Sequence, residues 1–490
     1  MINNNLAHLL QMNVEYGDAE TTGLSIPFSQ WLHICFLNAQ TSAVTNIRSA
    51  MEWHRLPNME ALIVNGYPLR SLVEENSLYN GIHQVIEYID QNTPSIWVFH
   101  NASFDSAVIS NSIYQNVASS NMYPFKTNGN ILLDSLQLVR AVNAFDGTCG
   151  VQFPSDHNGH PIFRLEKLCL ENSIGLNAHD AEEDTVALQE LVELVKQSSP
   201  KIYEIALQCA VKQFSKQKIM DQPYVYAAIG TERNFGIRAI TPIAMSEGGS
   251  DVIVADLSAD LEQLKDYSPL EISGFLGNRV HAKYPIFRLP LNKGITILSQ
   301  EELPFILKMT GSWDETELFR KASEFRRDQD LKLTAKEALS WRENSLMKED
   351  PTTEERIYSH FPTQGEKTFI NAFNLAEPED KWQLIEHYSS GLEDDRFIRL
   401  ARRVVLQNWR EYAPPEVVES HTQWCVQRLF SEPMEQEDVH KWDTIYSCMN
   451  NVSRLRKKYP DKVERIDELE VFYNSIAAGM GIDLSKSFDN

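Results

Sequence analysis

No run of about 18 apolar residues occurs anywhere in this 490-residue chain, which excludes an ordinary membrane-spanning helix. The opening stretch M-I-N-N-N-L-A-H-L-L also lacks the basic start and long apolar core of a signal peptide, so the expected setting is the cytoplasm. Cysteine is sparse. The six residues Cys35, Cys149, Cys169, Cys209, Cys425 and Cys448 are far apart, with no C-x-x-C pair and no Cys/His zinc spacing. They read as reduced structural thiols. Positive charge is short as well: 45 Lys and Arg stand against 68 Asp and Glu, a formal charge of −23. Such a balance speaks against a surface that meets phosphate backbone everywhere. It leaves room for a local basic groove, and bound divalent ions would offset carboxylates in a site. Repeats and low-complexity tracts are absent. With 42% hydrophobic and 23% charged residues the chain reads as folded, and its length suggests about three domains.

What the chain does have is a set of acids in telling local contexts. Asp18 and Glu20 lie in Y-G-D-A-E-T-T-G, Asp105 in W-V-F-H-N-A-S-F-D, and His179 with Asp184 in N-A-H-D-A-E-E-D-T-V-A. Residues at i and i+2 of a strand share a face, so Asp18 and Glu20 are expected side by side. Carboxylates are hard oxygen donors suited to Mg²⁺ or Mn²⁺, and two such ions about 4 Å apart can clamp both oxygens of a phosphoryl transfer. A neutral imidazole beside them would take a proton from water. Each motif alone has an ordinary reading: paired acids on a surface strand, a helix cap, an acidic first helical turn. Together they point to a two-metal phosphodiesterase.

Strand-like runs alternate with helical patterns from residue 12 to 198, as in an α/β domain on a mixed sheet. N-V-E-Y-G-D-A-E and S-Q-W-L-H-I-C-F-L are the first two strands. S-I-W-V-F-H and I-L-L-D each hand over to a helix, near Asp105 and at Asp134. A helix from Asp180 to Gln197 carries Asp184 one turn inside. Ser198-Ser199-Pro200 marks a boundary, followed over 199–345 by mixed short strands and helices that suggest a small barrel, and over 352–483 by an all-helical region.

In order, D-x-E-T-T-G, H-N-x-x-F-D and the His179–Asp184 motif resemble the DEDDh 3′→5′ exonucleases, and among them the bacterial exodeoxyribonuclease I branch. F-R-L-E-K-L at 163–168, P-F-S-Q-W at 27–31, E-R-I-Y-S-H-F at 355–361 and R-R-V-V-L-Q-N-W at 402–409 add to the likeness. The resemblance implies a ribonuclease H-like mixed sheet, then a small domain containing an SH3-like β-barrel, then an all-helical C-terminal domain. It implies that Asp18, Glu20, Asp105 and Asp184 hold two Mg²⁺ ions, with Mn²⁺ as a substitute. Glu20 and His179 then count as catalytic, with His179 as general base. Thr21, Thr22, Gly23, Asn101 and Phe104 would touch the terminal nucleotide. Ser106 stands where that branch is expected to carry a second acid, and Thr22 where it has an aromatic residue. Asp134 is expected behind the ligands.

The implied activity is processive 3′→5′ digestion of single-stranded DNA to nucleoside 5′-monophosphates, in DNA repair and recombination. The expected partners are the strand itself and a single-stranded-DNA-binding protein, with a monomeric chain. The rival readings are a DEDDh enzyme acting on RNA or in proofreading, and a non-catalytic adaptor. His157 and His160 in S-D-H-N-G-H-P read as an exposed turn, since no third ligand is near. Arg326-Arg327, Arg399 with Arg402-Arg403, and Arg454 with Arg456-Lys457-Lys458 are basic patches. Phe325, Tyr358 and Trp409 beside such charges are candidates for base stacking.

Overall fold

The fold was taken from a computed structural model, which describes residues 6–146, 150–175, 180–230, 235–277, 284–305, 314–346, 351–431 and 441–479. His179 and Cys149 lie outside these residues.

The first sheet contains β1 (Asn13–Thr21), β2 (Trp31–Asn38), β3 (Val44–Arg48), β4 (Ser95–Phe99) and β5 (Ile131–Asp134), in the order β3-β2-β1-β4-β5. β1, β2 and β3 are antiparallel neighbours, whereas β4 and β5 run parallel to β1. This mixed arrangement follows from the connections: loops without helices join the first three strands, and helices return the chain to β4 and β5. At Gly17 the strand passes so near Phe99 that an added Cβ would lie 2.5 Å from the ring. Only glycine fits there.

The two faces of this sheet are covered differently. On one, Trp31, Ile34, Phe36, Trp97 and Phe99 pack under the helices Leu78–Gln91 and Ala102–Gln115. On the other, a larger apolar cluster begins at Leu9 and Val98, and passes through the helices Ser135–Phe145, Ala181–Ser198 and Pro200–Ala210. It continues into a second sheet and ends at Leu339. That sheet comprises β6 (Val225–Ile229), β7 (Gly236–Met245), β8 (Asp251–Asp256), β9 (Ile286–Pro290) and β10 (Ile297–Leu298). It is an antiparallel meander whose last strand returns beside the first, β10-β6-β7-β8-β9.

From residue 351 on, the described residues are helical, and they lean on the first unit at two places. Phe369, Ile370, Phe397 and Leu400 pack against Tyr114 and Val117. Leu429, Ile445, Leu469 and Tyr473 pack against Leu32, Leu62 and Ile63. Burying an aliphatic or aromatic side chain contributes about 1.5–3 kcal/mol, so each cluster is a substantial attachment. Among the described residues no helix is long and apolar enough to cross a membrane.

Candidate active site

β1 leaves its pairing with β4 after Tyr16, opposite Val98, but stays paired with β2 as far as Thr21. Asp18 and Glu20 therefore share a face where β4 no longer runs beside them. The third carboxylate comes from the helix Ala181–Ser198, which packs against β1 and β2. Asp180 caps that helix, accepting from the N–H groups of Glu182 (3.0 Å) and Glu183 (3.4 Å). Its acidic first turn, Glu182, Glu183 and Asp184, suits the positive end of the helix dipole. Oxygens of Asp18, Glu20 and Asp184 all lie within 4.8 Å of one another.

Asp105 completes the set from the first turn of Ala102–Gln115. It is buried, and its charge acts on both Asp18 and Glu20. The turn that delivers it is unusual: Asn101 has φ 64°, a left-handed conformation that Asn tolerates better than most residues. Asp134, at the end of β5, holds this turn. Its Oδ1 accepts the N–H of Asn101 at 3.1 Å and that of Leu136 at 3.0 Å, so one carboxylate fixes two helix starts. His100 is committed elsewhere, its Nδ1 2.8 Å from Ser135 Oγ and its Nε2 2.8 Å from the Phe163 carbonyl.

The electrostatics follow from this crowding. Burial, then the charges of Asp105, Glu20 and Asp184, hold Asp18 well above the usual carboxylate range. Glu20 is pushed up to about 8 by burial and by Asp184 and Asp105, with an Asn65 hydrogen bond pulling the other way. Burial and Asp134 push Asp105 up to about 8, against hydrogen bonds from backbone N–H groups. Asp134 itself rises to about 6, chiefly by burial. Among the described residues no Lys or Arg forms an ion pair with Asp18, Glu20 or Asp105. Such a cluster cannot be fully ionised unless a cation supplies the missing charge, and hard oxygen donors of this kind fit Mg²⁺ or Mn²⁺. A second group of possible ligands, His360, Glu366 and Asp394, differs: Arg396 pairs with Glu366 and Arg356 with Asp394, so its charge is already met.

The other expected residues are distributed as follows. Thr21, Thr22 and Gly23 are buried. The Thr21 hydroxyl donates to the Gly23 carbonyl at 3.0 Å, and the Thr22 hydroxyl accepts from Gln30 N–H at 2.9 Å. Asn101 is exposed and Phe104 partly buried. His179 lies outside the described residues. Asn65 was not anticipated. It ends the helix Met59–Asn65 and donates from Nδ2 to the Thr21 carbonyl at 3.2 Å, next to Glu20 in the chain, whose raised pKa its amide partly offsets. The only sequence signal was Asn-Gly, which reads as a helix end; Gly66 indeed takes φ 63°.

No family model matches the chain. Its sequence is similar to the exodeoxyribonuclease I of Buchnera aphidicola from Acyrthosiphon pisum, 30% identical over 193 residues, 38% of this chain and 46% of that one. The Haemophilus influenzae exodeoxyribonuclease I is 29% identical over 218 residues, 43% of this chain and 45% of its own. The chain thus matches somewhat under half the length of these curated relatives. The fold likeness extends further. A moderately thermophilic exonuclease I from Methylocaldum szegediense superposes with a TM-score of 0.78 at 17% identity, covering 95% of this chain and 99% of that one. E. coli exonuclease I in complex with a dA16 oligonucleotide gives 0.77 at 16% identity, over 95% and 100%. An SSB/exonuclease I structure in complex with the inhibitor CFAM gives 0.76 at 17%, over 95% and 100%. The resemblance read from the sequence motifs is thus matched in sequence over about two fifths of the chain and in fold over nearly all of it.

Proposed function

We propose that this protein is a metal-dependent 3′→5′ exodeoxyribonuclease of the DEDDh type, digesting single-stranded DNA to nucleoside 5′-monophosphates. The observation that carries this reading is the convergence of Asp18, Glu20 and Asp184 within 4.8 Å, with buried Asp105 behind them and no basic partner for Asp18, Glu20 or Asp105 among the described residues. The likeness to exodeoxyribonuclease I sequences and to an oligonucleotide-bound exonuclease I supports the substrate class. The four carboxylates would hold two Mg²⁺ ions, which when bound supply Lewis-acid stabilisation of the phosphoryl oxygens and lower the pKa of water.

The chain's own residues do the rest. His179 is the base that accepts the proton of the attacking water. Asn65 holds the backbone beside Glu20 through the Thr21 carbonyl, and Asp134 fixes the turn that presents Asp105. Thr21, Thr22, Gly23, Asn101 and Phe104 border the terminal nucleotide. The 199–345 region, with its returning last strand, is read as the SH3-like module, between a nuclease domain at 12–198 and a helical domain at 352–483. We assign the protein to the cytoplasm as a monomer acting in DNA repair. A single-stranded-DNA-binding protein is its expected partner, a reading supported by the SSB/exonuclease I neighbour.

The test is mononucleotide release from 3′-labelled and 5′-labelled single-stranded DNA, with Mg²⁺ and with EDTA, for the wild type and Asp184→Ala. Immediate metal-dependent loss of the 3′ label, absent in the variant, is the expected result. An active Asp184→Ala variant refutes the site, and preference for RNA or duplex in parallel reactions refutes the substrate.

A further inference from the structure

The first turn of the helix Ala181–Ser198 stands where negative charge is densest, yet Asp184 has to stay within reach of Asp18 and Glu20. The charge of Asp184 raises the pKa of both, and Asp180 adds to the effect on Glu20. Like charges of this kind push the helix start away from the strand. Something must hold it down. Asp180 turns inward on the helix as its cap, whereas Glu182 reaches outward. Its Oε2 accepts from Asn46 Nδ2 at 2.6 Å, across 136 residues of sequence, and Asn46 Oδ1 lies 2.7 Å from His33 Nε2. A carboxylate only accepts, so the Asn46 amide turns its NH₂ to Glu182 and its oxygen to His33, and the His33 Nε2–H donates.

Strand register puts these groups beside the acid cluster. Across β1 and β2, His33 lies directly opposite Glu20, and Cys35 opposite Asp18; on β3, Asn46 lies opposite Cys35. Residues paired in this way share a face, so Asp18, Glu20, His33 and Asn46 all stand on the side that the helix Ala181–Ser198 covers. His33 is 3% exposed, whereas Asn46, on the edge strand, and Glu182 stand in solvent. The hydrogen bonds thus run from a buried ring beside Glu20 to the sheet edge and back to a residue two before Asp184. The bridging group is a neutral amide, which ties down the helix start without adding a cation that would compete for the acids.

We propose that His33, Asn46 and Glu182 form a relay that positions Asp184 against Asp18 and Glu20 and so sets which cation the acid cluster prefers. None of the three touches the reacting atoms; they are positioning residues. Mg²⁺ demands near-ideal octahedral geometry, whereas Ca²⁺ accepts a looser set of oxygens. Loss of the hold on Asp184 therefore penalises the smaller ion selectively. The relay rests on the reading of the acid cluster as a metal site, and the test separates the two.

Mg²⁺ and Ca²⁺ are titrated in turn into the metal-free full chain and followed by calorimetry. Asn46→Ala and Glu182→Ala should each bind Mg²⁺ on the order of 10-fold more weakly, the usual scale for groups that orient metal ligands. Ca²⁺ affinity should stay within about threefold, because its coordination is flexible. The Asn46→Ala/Glu182→Ala double variant should be no weaker than either single one, since one link is broken in all three. Glu182→Gln, which keeps the acceptor, should bind Mg²⁺ like the wild type. His33→Gln, which keeps a donor, should do the same, whereas His33→Leu should resemble Asn46→Ala. Both exposed single variants should melt close to the wild type without metal. Wild-type Mg²⁺ affinity in Asn46→Ala and Glu182→Ala overturns the relay and leaves the metal site standing. Equal losses for both ions, adding up in the double variant, also overturn it and assign the effect to general loosening. A wild type that takes up Mg²⁺ no better than Asp18→Ala overturns the metal site itself.

Discussion

Glu20 keeps its proton up to about pH 8 in the folded chain, against an ordinary value of 4.5. The folded state therefore binds more protons than the unfolded state between those values, and without metal its stability falls as pH rises from 4.5 to 8. Calorimetry of the metal-free protein should show a Tm that declines over this window. Mg²⁺ should raise Tm more at the upper end than at the lower. Glu20→Gln should flatten the decline, gaining on the order of 2 kcal/mol at the upper end while losing the proposed nuclease activity. A metal-free Tm that rises with pH over the window contradicts this account. Asp134 gives a second residue-level expectation: Asp134→Ala frees the N–H groups of Asn101 and Leu136, so stability should drop by about 1–2 kcal/mol and kcat by roughly 10–100-fold. Thermal melts and steady-state rates measure the two, and an unchanged kcat would detach Asp134 from the site. The grouping of Asp18, Glu20 and Asp184, with Asp105 beside them, was legible because their motifs fix their order and the strand spacing puts the first two on one face. Asn65 was not, because its role depends on a helix 45 residues away from Glu20 in sequence, whose position only packing decides.

The elements were unevenly legible for identifiable reasons. β1, β2, β4 and β5 are apolar runs with clear ends, and the helix Ala181–Ser198 has a regular apolar spacing behind an acidic cap. β3, V-T-N-I-R, is a short edge strand with only Ile47 buried, so it leaves little trace. β7 contains Pro242, which normally argues against a strand; the register shifts there, between Pro242 and Ala244. The helix Ala102–Gln115 buries Ser106, Ser110, Asn111, Ser112 and Gln115, because the helical region covers its outer side at Tyr114. Of the three stacking candidates, Phe325 is fully buried and Trp409 packs edge-on to Tyr79, which leaves Tyr358 in solvent. The turn carrying Tyr358 depends on Glu354. Burial alone would raise its pKa, but Arg403 and Arg428 outweigh that and hold it at about 2. Its contribution is complete above the ordinary 4.5 and is lost as pH falls toward 2. Glu354→Gln should cost about 3–5 kcal/mol in denaturant titrations at neutral pH and little near pH 2, because it strands buried arginines. Equal losses at both pH values would assign the effect to packing.

For the whole molecule, the decisive fact is that apolar packing does not pause at Ser198-Ser199-Pro200. Ile202, Tyr203, Ile205, Ala206 and Leu207 of the next helix belong to the same cluster as Val98 and Leu133 under the first sheet. A chain ending at Ser198 should therefore expose that face and aggregate on expression, read by size-exclusion chromatography; a soluble, cooperative monomer would show that the first unit stands alone. The boundary signal in the sequence was real as a break between helices, but a turn does not reveal whether a core continues across it.

The helix Met59–Asn65 is clamped from the far end of the chain. The Tyr473 hydroxyl donates to the Pro57 carbonyl at 2.6 Å, and Lys462 Nζ donates to the Ile63 carbonyl at 3.0 Å. The same helix carries Asn65, which holds the Thr21 carbonyl next to Glu20. During synthesis at about 5–20 residues per second, the segment that seats Asn65 leaves the ribosome tens of seconds after Glu20 itself. The final seating of the helix that carries Asn65 therefore waits on contacts that the chain makes some 400 residues later.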